Sequence, residues 1–516
     1  MPLQTQKNSN PAVQLAVLAL LIGVSFFATL GATPLFDVDE GAFSEATREM
    51  LISKNYLTTY LNGAPRFDKP ILIYWLQLLS VQILGINEVA FRLPSAIASA
   101  VWALLLFFFV KKESDSQQAL IASGLLVLSL QVSVIAKAAI ADALLNCLLA
   151  LSMFAVMRYY KNNSKTALLT AFAAIGLGTL TKGPIAIIIP LAVTFLFSVL
   201  EGTLKKWFRM VFYLPGIALF CVIALPWYLL EYQDQGMAFI EGFFFKHNIS
   251  RFNTSLEGHS GSLFYYFPVL IVGMMPFTAL LFATMWRLPK LLSTPTNRFL
   301  LIWFGFVFIF FSLSGTKLPH YMIYGYTPLF IVMARIVPQL KHPTRLVILP
   351  ALLLVLLAAT PMLAEQALPM FDDLYIQSLL IALAQESGME CTIVSLTTLA
   401  ALIIMQLPRK LSIEAKILTT GLFFCLYMNA YLAPLVGSVL QQPIKEAALL
   451  AKQQGYKVVM WKTYNPSFLV YSESLVEKRQ PQAGDVVLTT VKHIAKLNVT
   501  TLLYSKHGIV LAKVPY

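Results

Sequence analysis

The sequence predicts a polytopic α-helical membrane protein that ends in a small α/β domain, and three observations predict it. Of the 516 residues, 58% are hydrophobic and only 12% are charged, against about 25% charged in an average soluble chain. The apolar residues gather into runs long enough to cross a bilayer, which takes roughly 20 residues. Near residue 438 the pattern switches to an amphipathic helix followed by short strand-like segments. The same composition excludes other classes. The net charge of +13 comes from bases scattered over short loops, which is how topology signals are distributed, not a face that tracks nucleic-acid phosphates. The cysteines (Cys147, Cys221, Cys391, Cys425) have no CxxC spacing and lie in or beside apolar runs, so they supply neither a metal nor a disulfide framework.

Taken in order, the first run (11–32) reads as a retained anchor, because a signal peptide has a shorter core and a cleavage site. Further runs lie near 89–110, 118–136, 138–157, 166–181, 184–200, 211–230, 264–286, 298–313, 321–340, 346–364, 391–407 and 415–436, for about thirteen crossings. A cytoplasmic N-terminus puts Lys111, Lys112, Arg158, Lys161, Lys205, Lys206, Arg209, Arg287, Lys290, Lys341, Arg345, Arg409 and Lys410 in or beside inner loops. The short outer connections then keep mainly Lys137, Lys182 and Lys317. This positive-inside bias fixes the orientation. It also turns the acid- and base-rich segment Asp37–Pro70 outward.

Within that first outer loop, Phe43, Ala46, Met50 and Leu51 recur at helical spacing, with Asp39 placed as an N-cap. Glu45, Arg48 and Glu49 fall largely on the other face and read as solvated. The apolar stretch 71–84 is too short to cross and suits a helix lying in the interface, with Pro70 at its first turn. Asp68 and Lys69 therefore stand at lipid-headgroup depth. A second outer loop (231–263) carries His247 and Arg251 four residues apart, and a third turn carries Lys317, His320 and Tyr321. Asp142 lies just inside the fourth run, and an acid within a span is a functional candidate; the structural alternative pairs it with Lys137. Cations at this depth suit a lipid phosphate and would stabilise charge growing on a phosphate leaving group. The chain has no GxxxxGK[ST] loop, and no nucleotide sugar is supplied outside the plasma membrane. Transfer chemistry there must draw on a donor already in the membrane.

Seven stretches occur in a familiar order: DVDEGAFSEATREML, LNGAPRFDKPILIYWL, INEVAFRLPSAI, KAAIADALL, GLGTLTKGPIAIIIP, HNISRF with GHSGSLFYYFPVLIVGMMPFT, and SGTKLPHYMIYGYTPL. Over about residues 30–330 the chain resembles the bacterial aminoarabinose (4-amino-4-deoxy-L-arabinose) lipid A transferase family, within the protein-mannosyltransferase-like GT-C glycosyltransferases. The resemblance implies a GT-C fold over residues 1–437, with juxtamembrane helices in about 34–88, and an outer α/β domain over 438–516. It implies single-displacement transfer of a sugar from undecaprenyl phosphate to lipid A at the periplasmic face of the bacterial inner membrane. Asp39, Asp142 and Lys69 then carry catalysis, while Lys69, Arg251, His247, Tyr321 and Lys317 hold the donor phosphate. Glu40, Arg66 and Asp68 would line the substrate pocket, and Asp68 with His247 is the pair that could bridge a divalent metal. Two readings stand beside this one. The same fold could transfer mannose or a hexosamine to hydroxyls of protein, lipid or polysaccharide. A transporter or flippase of lipid-linked substrates is the third, although the charges gather on one face and no inverted repeat is evident.

Overall fold

The computed structural model describes residues 10–250, 252, 261–340, 343–408, 410–497, 499 and 501–515. Local chemistry starts the helices where the apolar runs begin. Asn10 accepts from the Ala12 amide ahead of α1 (Pro11–Ile22), which has proline at its first position. Asn87 caps α4 (Glu88–Glu113), and Lys111 and Lys112 sit at its negative end. Ser164 caps α8 (Lys165–Lys182).

Every apolar run of the sequence has a helical counterpart, but several are bent. Among the described residues six helices are long and apolar enough to cross a membrane, or up to eight if each bent pair is one span. One such pair is α5 (Ser116–Leu128) and α6 (Leu130–Ala136), which meet at 69°. The run 264–286 divides into Tyr266–Gly273 and Thr278–Met285 at a cis Met275–Pro276 bond. The chain is a multi-pass membrane protein.

The short apolar segment forms α3 (Leu72–Leu84). It buries Ile73, Tyr74, Gln77, Leu78 and Val81 and exposes Trp75, Leu79, Ile83 and Leu84. One wet-and-greasy face against one packed face is what an interfacial helix requires. Beneath it lies α2 (Asp39–Ser53), joined through Phe43, whose ring stacks on Tyr74 at 5.3 Å. Asp39 is the first residue of α2 and caps nothing, contrary to the sequence reading. Glu45 and Arg48 are likewise not solvated. They are buried and face each other in a two-pronged pair of 2.7 and 2.6 Å.

Tyr60–Leu61 (β1) and Ala64–Pro65 (β2) pair antiparallel ahead of α3. After the last apolar run, the helix Gln442–Gln454 packs on a five-stranded sheet whose strands lie in the order Glu477–Lys478 (β4), Val458–Met460 (β3), Val486–Thr490 (β5), Ile509–Lys513 (β7) and Thr501–Lys506 (β6). β3 runs parallel to β4 and β5. β7 is antiparallel to both β5 and β6. A further helix, Pro466–Ser472, was not anticipated from the sequence, and it is the element that touches α2. Alternation in β5 sends Val486 and Leu488 to a core with Ile444, Ala448 and Phe468, and Val487 to the opposite face.

Candidate active site

The loop before α3, the π-helix Ile240–Ser250, α9 (Ile185–Leu200), the helix Pro295–Leu313 and the 3-10 turn Pro319–Gly325 surround a cavity of about 510 Å³. Its polar end is formed by Asp68, Lys69, Lys182 and His247, and its wall by Ile185, Ile188, Phe244, Ile249, Phe310 and Phe311. Tyr321 and Tyr324 also line it.

Asp68 is gripped from two sides. Its Oδ2 accepts from Arg66 at 3.2 Å and its Oδ1 lies 2.6 Å from Nδ1 of His247. Burial pushes this carboxyl up, but the His247 hydrogen bond and the charges of Arg66 and Lys69 outweigh it and hold the acid well below the usual range. Arg66 does not line the cavity, as the sequence reading had it. Its guanidinium reaches Tyr74 Oη at 2.8 Å and the Ala42 carbonyl at 3.3 Å, and stacks over the Phe43 ring at 4.9 Å. It pins α2 to α3 and orients Asp68. The Lys69 ammonium borders the cavity and donates to the Asp68 carbonyl at 3.1 Å.

Asp142 opens α7 (Asp142–Asn162) and is almost fully buried. Its partner is Lys182, at the end of α8, 2.7 Å away, not Lys137. The same ammonium donates to Tyr324 Oη at 2.6 Å and lies 5.4 Å from both the Tyr321 and Tyr324 ring centres. Sequence reasoning placed Lys182 only among the outer connections and did not single out Tyr324. The signal for Lys182 was present, since the cost of an ion in a span applies to it as to Asp142.

Two further expected residues are committed elsewhere. Glu40 is buried, with Arg92 on both oxygens at 2.9 and 2.8 Å and the Phe36 and Ala139 amides at 2.9 and 2.7 Å. With every lone-pair direction used, it builds the loop instead of a substrate pocket. Lys317 donates to the Ser312 and Ser314 carbonyls at 2.8 and 2.6 Å, closing the end of the helix Pro295–Leu313. Carbonyls at a helix C-terminus attract a cation, and Lys317 is not among the cavity residues. Arg251 lies outside the described residues. Asp39 is the contrast: it is exposed, and no hydrogen bond or ion pair engages it among the described residues. Asp68 and His247 meet each other directly, and no group of three or more His, Cys, Asp or Glu side chains gathers to hold a metal among the described residues.

A cationic pocket continued by an apolar wall has the chemistry to take a lipid with a phosphate head. Residues 68–229 match the family of dolichyl-phosphate-mannose-protein mannosyltransferases. Over 337 residues the chain is 29% identical to the undecaprenyl phosphate-α-4-amino-4-deoxy-L-arabinose arabinosyl transferase 2 of Proteus mirabilis, covering 64% of this chain and 60% of that one. The crystal structure of ArnT from Cupriavidus metallidurans bound to undecaprenyl phosphate superposes with a TM-score of 0.83 at 18% identity, covering 98% of each chain. The chain is similar to the aminoarabinose transferases. It has the GT-C fold, and the likeness covers 98% of the chain, sheet domain included. A more distant likeness, TM-score 0.50 at 14% identity, links the fold to the oligosaccharyltransferase of Archaeoglobus fulgidus over 91% of this chain and 64% of that one. The alignment with the Proteus relative, by contrast, spans only 60% of its length.

Proposed function

We propose that the protein transfers 4-amino-4-deoxy-L-arabinose from undecaprenyl phosphate to a phosphate of lipid A, at the periplasmic face of the bacterial inner membrane. The observation that carries this reading is the shape of the cavity's chemistry. Lys69 and Lys182 stand at one end, and apolar side chains of α9 and Pro295–Leu313 continue along helices that enter the membrane. A polyprenyl phosphate lays its tail along such a wall and its head against such cations. The homology to transferases named for that donor supports the same substrate.

In the reaction an acceptor oxygen attacks the anomeric carbon of the sugar as that carbon's bond to the donor phosphate breaks. The electron pair leaves with the phosphate oxygen, and Lys69, fixed over the Asp68–His247 pair, meets the charge that develops. Arg251, four residues beyond His247 in sequence, is assigned to the same phosphate. Asp142 holds Lys182 in place within the cavity wall. Asp39, unengaged at the start of α2, faces the acceptor. A phosphate monoester has its second pKa at about 6, so the acceptor is already anionic and Asp39 orients it instead of deprotonating it. The match to a mannosyltransferase family favours one second reading, in which the acceptor is a hydroxyl and Asp39 serves as its general base. Mass spectrometry of lipid A from cells with and without the protein tests the choice. An added aminopentose on lipid A is expected. A hexose on protein with unmodified lipid A would replace this reading by the second, and donor accumulating without product would point to transport.

A further inference from the structure

Asp39, which no hydrogen bond or ion pair engages among the described residues, sits on backbone that is held from two directions. Behind it, Glu40 is locked by Arg92 and the Ala139 amide. Ahead of it, Asp37 reaches out of the loop to the C-terminal domain. Its Oδ1 accepts from the Ser467 amide at 2.8 Å, and its Oδ2 accepts from Ser467 Oγ at 2.7 Å and Asn465 Nδ2 at 3.2 Å. The Asp37 amide donates in turn to Gln441 Oε1 at 3.3 Å. The helix Pro466–Ser472 makes no cap bond from its own Asn465. Asp37 therefore supplies from a segment more than 400 residues away the acceptor that a helix start needs. Contact at this point is as close as backbone allows: a Cβ on Gly41 would lie 2.5 Å from the Ser467 nitrogen. Small size, not backbone conformation, is what position 41 demands.

We propose that Asp37, Asn465 and Ser467 form a positioning device, by which the C-terminal domain sets the first turn of α2 and with it the direction of Asp39. Other contacts already fasten the domain to the membrane part. Tyr471 Oη accepts from the Leu35 amide at 2.7 Å, Asn62 and Val476 exchange two hydrogen bonds of 2.7 and 2.9 Å, and Lys445 meets Glu88 at 2.6 Å. The Asp37 cap is thus surplus to docking, and its place two residues before Asp39 gives it a separate task. A group that must orient an acceptor loses rate steeply with small displacements. The C-terminal domain, which brings no catalytic side chain of its own to the cavity lining, is then part of the working site.

The catalytic half of this inference rests on the proposed transfer reaction, so the test has two arms. The full chain in detergent is compared as wild type, Asp37→Ala, Asp37→Asn and Asn465→Ala/Ser467→Ala. Hydrogen exchange is followed in peptides from the start of α2 and from β5. Transfer is followed with undecaprenyl-phosphate aminoarabinose and lipid A. Asp37→Ala and the double variant are expected to quicken exchange at residues 39–44 and leave β5 unchanged. They are expected to lower kcat by up to about tenfold, with KM for the donor unchanged. Asp37→Asn keeps an acceptor oxygen and should recover most of both losses. Unchanged exchange at α2, exchange that rises in β5 as well, or loosened α2 with undiminished kcat would each overturn the proposal. If the wild type transfers no sugar from this donor, it is the functional reading that fails, and the exchange arm alone decides the clamp.

Discussion

Asp39 and Lys69 differ in what surrounds them, and that difference sets how much each should matter. Lys69 borders the cavity beside an acid that is itself anchored by Arg66 and His247. A cation so fixed costs no reorganisation when charge develops on a leaving phosphate. Asp39 is exposed and, among the described residues, has no hydrogen bond or ion pair, and an anionic acceptor needs no base. Lys69→Ala is therefore expected to lower kcat/KM by about 100-fold or more, and Asp39→Asn by about tenfold or less when the acceptor is a phosphate. Steady-state transfer to lipid A checks the order. Complete loss in a well-folded Asp39→Asn, with phosphate as acceptor, would make Asp39 a base. At this scale the sequence was legible where cost flags a residue: Asp142 stood out as an acid in a span. It was illegible where a residue's partner decides its role. Glu40, Arg66 and Lys317 have the same chemistry as the cavity residues, and only packing shows that their charges are spent on Arg92, on Tyr74 and on helix-end carbonyls.

At the scale of the element, α2 shows how periodicity can point the right way and still misplace a face. Phe43, Ala46 and Met50 are buried as their spacing implies, but so are Glu45 and Arg48 on the other side. Helical spacing reports one apolar stripe; it cannot report that the helix Pro466–Ser472 of the C-terminal domain covers the second face, because that contact joins segments far apart in sequence. Burying this pair is costly, and Glu45 is pushed up to about 7, by burial first, with Arg48 pulling it back. Removing one partner strands the other. Arg48→Met alone is expected to cost about 3–5 kcal/mol, whereas Glu45→Leu with Arg48→Met should leave stability within about 1 kcal/mol of wild type. Thermal unfolding of wild type, both single variants and the double variant in one detergent gives the cycle. Equal losses in the single and double variants would show that the pair contributes by more than mutual neutralisation. The short apolar helix α3 was the most legible element, since a length of 13 residues and a proline-led start constrain it without any knowledge of its neighbours.

For the whole molecule, the joint between loop and C-terminal domain brings ionisable groups out of water, and this ties its stability to pH. The expected division of the chain was readable because the switch from greasy runs to short alternating segments is a change of composition. The cap joining the two parts was not, since Asp37 carries no mark of its distant partners. Burial pushes Asp37 up to about 6 despite the hydrogen bonds from Ser467 and Asn465, and the nearby Glu40 charge adds to the rise. An acid whose folded value is raised contributes stability that is complete below its ordinary value of 3.8 and is lost as pH rises through about 6. Glu45 acts in the same direction through about 7. Asp68 is opposite in sign: held low, it stabilises the fold above the ordinary carboxylate range and loses that contribution only in strong acid. The midpoint of thermal unfolding is therefore expected to rise as pH is lowered from about 8 to about 5. Asp37→Asn removes one of the titrations that produce the slope while keeping an acceptor for the Ser467 amide, so its slope should be shallower over the same window. Differential scanning fluorimetry across that range reads both. A wild-type midpoint that falls on acidification, or an Asp37→Asn slope equal to the wild type, would show that the joint does not carry the charge balance argued for it.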